Sequence, residues 1–323
     1  MLRTIDIRPW AAWLLAILLY VVYSAKQPGV FTTSELGVLC ADALPLIVLA
    51  LGQGIVILTS GVDLSIGGTF AIGTTLAATH FTNTTTSLEW GAVIIAIGIS
   101  AGTLNGLFIG VLGLQSFIVT LGTWSIFDGI ALQILPTAGG SVPTSYANFL
   151  NDATAGLPNP LWIILILVAI WLWFKRIPLG RRIYATGSSR DAARIGGARV
   201  SRTLVATYAI SGLCASVAAL LYAMLTASGD PTSGDGLILP SVAAVVIGGT
   251  SLFGGQGGFV GTIAGAFTLT ILGYVIFAFG LTSYWTVLAD GALLIFAMLA
   301  GNGIQTLQRR WKESQSREID SKP

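Results

Sequence analysis

The chain has 323 residues, of which 54% are hydrophobic and only 9% charged, with a formal charge of +2. An ordinary soluble domain carries about a quarter charged residues, so a globule of this size with a water-exposed surface is excluded. The net charge says nothing about nucleic acid, because the basic residues are segregated in a way a membrane explains better, and lipid as solvent accounts for a chain with an apolar outside.

A hydrocarbon crossing takes roughly 20 apolar residues. On that ruler the first candidate is residues 10–25. Met1 to Tyr23 imitate a signal peptide, with Arg3 and Arg8 ahead of an apolar stretch. Tyr23 stands where cleavage needs a small residue, so an uncleaved first span is expected. Further spans are predicted at 37–59, 64–80, 90–112, 116–135, 160–174, 204–227, 237–248, 259–279 and 284–307. The segment 237–248 is too short to cross alone. It reads as a half-helix completed by the glycine-rich turn after it, a broken element spanning 237–258, which is tolerated where protein or water surrounds the backbone. Pro45 and Pro240 imply kinks inside their spans. The predicted fold is therefore an all-α, polytopic transmembrane helix bundle of about ten spans, one transmembrane domain over 1–323.

Forty glycines suit helices that approach closely in lipid. Gly102, Gly106 and Gly110 form one small-residue stripe, and Gly257, Gly261 and Gly265 another. Tight crossing is expected at both, with a gating hinge as the functional alternative. Cys40 and Cys214 sit in apolar runs and read as core residues, with no disulfide or redox pattern.

Basic residues orient the chain. Of sixteen Lys and Arg, eight lie from Lys175 to Arg202 and five from Arg309 to Lys322, the others being Arg3, Arg8 and Lys26. None occurs from Gln27 to Phe174 or from Thr203 to Gln308. The positive-inside rule places these clusters, and hence both termini, the loop 175–202 and the tail 308–323, in the cytoplasm. Both ends inside require an even number of spans, which ten satisfies. The neutral loops Thr82–Ser87, Pro136–Pro158 and Ser228–Gly236 belong outside.

No enzyme constellation is present. His80 is the single histidine, which leaves acid–base or metal chemistry without a partner. The run Gly248 to Gly258 is rich in glycine but lacks the Lys-Ser/Thr pair that holds phosphates and magnesium in a nucleotide loop. It reads as a tight turn, and no catalytic residue, metal or cofactor is expected. In the basic loop, Ser188 or Ser189 can cap a helix starting near Arg190, with Asp191 in its first turn. Gly196 or Gly197 can end it in a left-handed conformation. So short a helix needs a surface to dock on.

Asp191-Ala192-Ala193, then three residues, then Gly197, is similar to the Glu-Ala-Ala…Gly loop through which ABC importer permeases contact their ATPases. The runs Ile57–Ser65, Leu104–Gly106, Phe117–Leu121, Leu179–Arg181, Ala243–Leu252 and Val260–Thr262 occur in the same order. Together they make the chain resemble the ribose-type family of monosaccharide ABC permeases, between about Thr33 and Leu307. The resemblance implies a permease subunit that translocates a monosaccharide or similar polar solute. It also implies an ABC ATPase subunit, a solute-binding protein and a second permease subunit as partners, in a bacterial inner membrane. Asp191, Ala192, Ala193 and Gly197 would form the ATPase-coupling surface. Three departures stand out: Asp128 where many relatives have Arg, Leu239-Pro240 where they have Leu-Asp, and Asp290 where some have Lys.

An Asp at mid-span costs about 3 kcal/mol unless it meets water or a partner. Asp128 and Asp290 are the deepest acids, and Trp124 shares a helix face with Asp128. An aromatic ring beside a carboxylate suits a sugar-like solute, so Trp124, Asp128 and Asp290 are the candidate pathway residues. Structural packing is the alternative for each. Asp63, just ahead of Leu64-Ser65, reads as a helix cap. An ion-coupled secondary transporter using an intramembrane Asp is the competing function.

Overall fold

The computed structural model describes residues 8–299. Thirteen helices are described: α1 Arg8–Lys26, α2 Thr33–Leu58, α3 Ser65–His80, α4 Thr84–Gly110, α5 Ser116–Ile134, α6 Thr144–Asn151, α7 Asn159–Phe174, α8 Pro178–Ser188, α9 Arg190–Ile195, α10 Val200–Thr226, α11 Asp235–Ile247, α12 Phe259–Ala278 and α13 Ser283–Leu299. A two-residue hairpin, β1 Ala153–Thr154 with β2 Leu157–Pro158, is the one sheet among the described residues. The tail 308–323, and the end of the span expected to reach residue 307, lie outside them.

Helices α2, α4, α5, α10 and α12 are each long and apolar enough to cross a bilayer. Helix α7 continues into α8 through a 74° bend, and α1, α11 and α13 are shorter apolar helices. The 13 residues of α11 rise about 20 Å, short of the roughly 30 Å hydrocarbon core. The turn 248–258 follows it directly.

Helix α2 is the axis of the bundle. From Ala43 to Leu58 its side chains are buried almost without break, Leu51 alone being half-buried. It is apolar all round because it is surrounded by α10, α12, α11 and α7. By contrast, α5 buries only Thr120, Thr123 and Ala131 and exposes Phe117, Ile118 and Ile126. Apolar outward faces of that kind are stable against lipid and not against water.

The glycine stripes are crossing surfaces. On α4, a side chain at Gly106 would sit 2.6 Å from Val205 Cα of α10, and one at Gly110 2.8 Å from the Ser201 carbonyl. Gly98 and Gly102 meet α10 as closely, so the stripe runs one turn further than the sequence suggested. On α12, Gly261 and Gly265 close in the same way on the backbones of Gly248 and Ala244.

Local signals shift several boundaries. Helix α4 begins at Thr84, inside the expected loop, because Asn83 and Thr86 form a capping box: Thr86 N donates to Asn83 Oδ1 at 3.0 Å and Asn83 N to Thr86 Oγ1 at 3.0 Å. The loop 136–158 holds α6 and the hairpin, whose turn residues Ala155 and Gly156 both have positive φ. The basic segment 175–202 contains two helices, α8 and α9, where one was expected.

A candidate coupling face and membrane pathway

Helix α8 starts at Pro178, a favoured first-turn residue. It buries Gly180, Ile183, Thr186 and Gly187 and leaves Arg181 and Arg182 exposed. Its C-terminal end lies under the end of α2. A side chain at Gly187 would lie 2.7 Å from Gly255 N and 2.8 Å from the Leu58 carbonyl carbon, so only glycine fits there.

Ser189 alone separates α8 from α9. Its extended backbone breaks the helix, and its Oγ accepts from Ala192 N at 3.2 Å, which caps α9. Gly196 ends α9, Gly197 follows with φ +81°, and Ala198 N donates back to the Ala193 carbonyl at 2.9 Å. Asp191, Ala192 and Gly197 are exposed, whereas Ala193 is buried against Val200 and Leu204. Ala193 therefore seats α9 on α10. The outward face is completed by Ile195, which is 89% exposed and was not singled out by the sequence. The Asp191–Arg194 pair at 3.7 Å is surface-exposed on both sides and contributes little.

The glycine run is a turn pressed against this face. Gly249, Gly254, Gly255 and Gly257 all take positive φ. Gly255 N donates to the Leu58 carbonyl at 3.0 Å, and Ser60 Oγ donates to Phe253 O at 2.7 Å or Gly187 O at 3.2 Å. Tyr184 Oη donates to Gly257 O at 2.8 Å. Burial pushes the Tyr184 phenol up to about 12, so it remains a neutral donor across physiological pH. The α2–α3 junction, α8 and the 248–258 turn are thus fastened together.

Trp124 and Asp128 share one face of α5, and the structure adds a residue the sequence left in a loop. Trp124 Nε1 donates to Asp235 Oδ1 at 3.1 Å, and Asp128 is the immediate neighbour of the same Asp235 carboxylate. Asp235 occupies the first turn of α11, where an acid suits the helix dipole. That spacing was the available signal. Asp128 Oδ1 is buried without a hydrogen-bond partner, as are Asp290 Oδ1 and Thr286 Oγ1 one turn apart on α13. Trp124 and Asp128 are brought together with Asp235. Asp290 stands on α13, whose Thr286 methyl approaches Gly273 of α12.

Asp63 does cap α3, accepting from Ser65 N at 3.1 Å. It does more than that. It is 1% exposed and also accepts from Ser65 Oγ at 2.6 Å and from Ser211 Oγ of α10 at 2.8 Å. Asn105 Nδ2 of α4 donates to Ser65 Oγ at 2.7 Å, so three helices meet at one carboxylate.

A family model described as "Branched-chain amino acid transport system / permease component" matches residues 36–298. The ribose import permease of Escherichia coli (strain K12) is 32% identical over 294 residues, covering 88% of this chain and 91% of the relative. A probable ABC transporter permease of Sinorhizobium fredii is 33% identical over 290 residues, with 88% and 86% covered. The autoinducer 2 import system permease of Klebsiella pneumoniae is 31% identical over 314 residues, with 96% and 89% covered. No solved structure matches the chain.

Proposed function

Because the chain belongs to this family of transport-system permease components and is the membrane-spanning permease of an ATP-binding-cassette importer, we propose that its cargo is a monosaccharide or a similar small polar solute. The family description names an amino acid, while the relatives named above import ribose and autoinducer 2. Membership therefore sets the mechanism more firmly than the cargo. What favours a sugar-like solute is chemical. Trp124, Asp128 and Asp235 offer an aromatic surface beside carboxylate oxygens, on segments that carry no Lys or Arg from Gln27 to Phe174 or from Thr203 to Gln308.

In this reading a separate ATPase supplies the energy and docks on α9, through Asp191, Ala192, Ile195 and Gly197, with Ala193 holding the helix at the right depth. A solute-binding protein delivers cargo to the opposite end, and a second permease subunit completes the pathway. The chain crosses a bacterial inner membrane about ten times with both termini in the cytoplasm. The observation that carries the proposal is the capped α9, fastened to the ends of the spans yet presenting Ile195 almost fully to solvent. An isolated six-residue helix is not stable in water, and an exposed isoleucine at its end is a contact waiting for a surface. Clustering of Lys and Arg around it supports the cytoplasmic side.

The deciding experiment is uptake of labelled ribose into proteoliposomes holding the permease, its ATPase and its binding protein. Uptake is expected to require all three and ATP; accumulation by the permease alone, driven by an ion gradient, would replace this reading with ion-coupled transport. A topology test stands beside it. Ile195→Cys is expected to react with an impermeant maleimide in inverted vesicles and not in right-side-out ones. Within the pathway, Trp124→Ala is expected to lower uptake by roughly tenfold, the scale of losing one aromatic contact of about 1–2 kcal/mol. Binding of solute by the delivery protein should be unaltered. Full uptake by that variant removes Trp124 from the pathway.

A further inference from the structure

The short junction between α2 and α3 meets α8, the 248–258 turn, α5 and α10 within seven residues. Ser60, held at φ +63°, places its Oγ 2.7 Å from Phe253 O in the 248–258 turn and 3.2 Å from Gly187 O at the end of α8, donating its one proton to either. A side chain at Gly61 would lie 2.6 Å from the Tyr208 hydroxyl of α10. Against α5, Val62 N donates to Ser116 Oγ at 3.5 Å, and Val62 O lies 3.3 Å from Thr120 Oγ1, whose proton also has the Ser116 carbonyl at 2.9 Å. Asp63 accepts from Ser211 of α10 and, through Ser65, is joined to Asn105 of α4. A left-handed serine, and a buried carboxylate without an ion-pair partner among the described residues, are both costly, and neither is needed merely to turn the chain.

Thr120 lies four residues before Trp124 and eight before Asp128, so all three share one face of α5. The contact that fixes α5 to the junction is therefore about 12 Å along the helix from Asp128. Helix α3, which leaves the junction directly, packs on the same stretch: a side chain at Gly68 would meet the Trp124 carbonyl oxygen at 2.9 Å.

We propose that the junction Thr59–Ser65, anchored by Asp63, is the positioning element through which displacement of α8 and α9 reaches α5 and its Trp124–Asp128 face. The proposal rests on the reading of α9 as the ATPase contact. A push on α9 tilts α8 through the one-residue hinge at Ser189. Ser60 carries that tilt into the junction, and the Asp63 carboxylate makes α3, α4 and α10 follow as one body. Without the carboxylate, the junction yields locally and α5 stays where it was.

The test uses the reconstituted complex of permease, ATPase and binding protein, and measures solute moved per ATP hydrolysed. Asp63→Ala is expected to lower that ratio by roughly tenfold or more, the scale of losing hydrogen bonds to a charged group, while ATP hydrolysis itself continues. A merely structural role would lower both together, by reducing the amount of intact complex, and would leave the ratio unchanged. An unchanged ratio overturns the proposal. If Asp63→Ala does not assemble, Ser60→Ala, which cuts only the links to Gly187 and Phe253, decides in the same way. Failure of the underlying reading is separate: binding-protein-stimulated hydrolysis would then survive Ala193→Arg, whatever the ratio in the junction variants.

Discussion

Ala193→Arg is expected to stop import while leaving the bundle folded. Ala193 is 7% exposed and packs between α9 and the start of α10 against Val200 and Leu204. No acid is among those neighbours to receive a guanidinium, so the arginine can be accommodated only by lifting α9 off α10. Once lifted, a six-residue helix has nothing to keep its turns closed, and the face bearing Asp191 and Ile195 is lost. The loss of an interface anchor is commonly worth 2–4 kcal/mol, which corresponds to roughly a hundredfold fall in uptake. Gly197→Ala is a graded comparison. Gly197 has φ +81° with open space around it, so the change costs only about 1–2 kcal/mol of left-handed strain. Binding-protein-stimulated ATP hydrolysis and uptake, measured on reconstituted complexes of matched melting temperature, check both. Full stimulation in Ala193→Arg would mean that the ATPase docks elsewhere.

The contrast between these residues shows what a sequence can carry. A cap at Ser188 or Ser189, Asp191 in the first turn and a stop at Gly196 or Gly197 are local signals, set by backbone chemistry within one turn, and they were legible; the structure selects Ser189 as cap and Gly197 as the left-handed residue. So was the all-helical membrane bundle, since apolar length and segregation of Lys and Arg are one-dimensional properties. That Ala193 faces inward and Ile195 outward depends on where α10 lies, and a helix of six residues is too short for periodicity to tell its faces apart. Asp235 escaped for a similar reason. It was assigned to an external loop, and only the packing of α5 and α11 against the shared α3 brings it to Trp124. Asp63 illustrates a partial reading. The cap was visible from its position ahead of Leu64-Ser65, but Ser211 lies 148 residues away in sequence, and no local pattern announces that bond.

The glycine stripe gives the largest expected change in stability. Gly98, Gly102, Gly106 and Gly110 descend α4 while their partners on α10 run from Ser216 and Gly212 through Tyr208 and Val205 to Ser201. From Gly212 through Tyr208 and Val205 to Ser201, each step of four on α4 is matched by a step of three or four on α10, in the opposite direction. This is the register of an antiparallel crossing with the two backbones in contact. In lipid, where no hydrophobic effect draws helices together, such closeness supplies the dispersion that holds them. Gly212 is where the two stripes interlock: an added side chain would lie 2.8 Å from the Gly98 carbonyl carbon and 3.1 Å from Gly102 N. Both are backbone atoms, so no rotamer change relieves the clash. Gly212→Leu is therefore expected at or beyond the upper end of the usual overpacking cost of about 1–3 kcal/mol. In detergent that should lower the melting temperature by about 5 °C or more. Gly91→Leu, on the same α4 but with nothing within 4 Å, should leave it unchanged or slightly raised, since leucine is the better helix former. Equal melting of the two variants would show that α4 and α10 are not held by this crossing. Because α10 is also the helix on which α9 is seated, a spread crossing should weaken the docking of α9 as well.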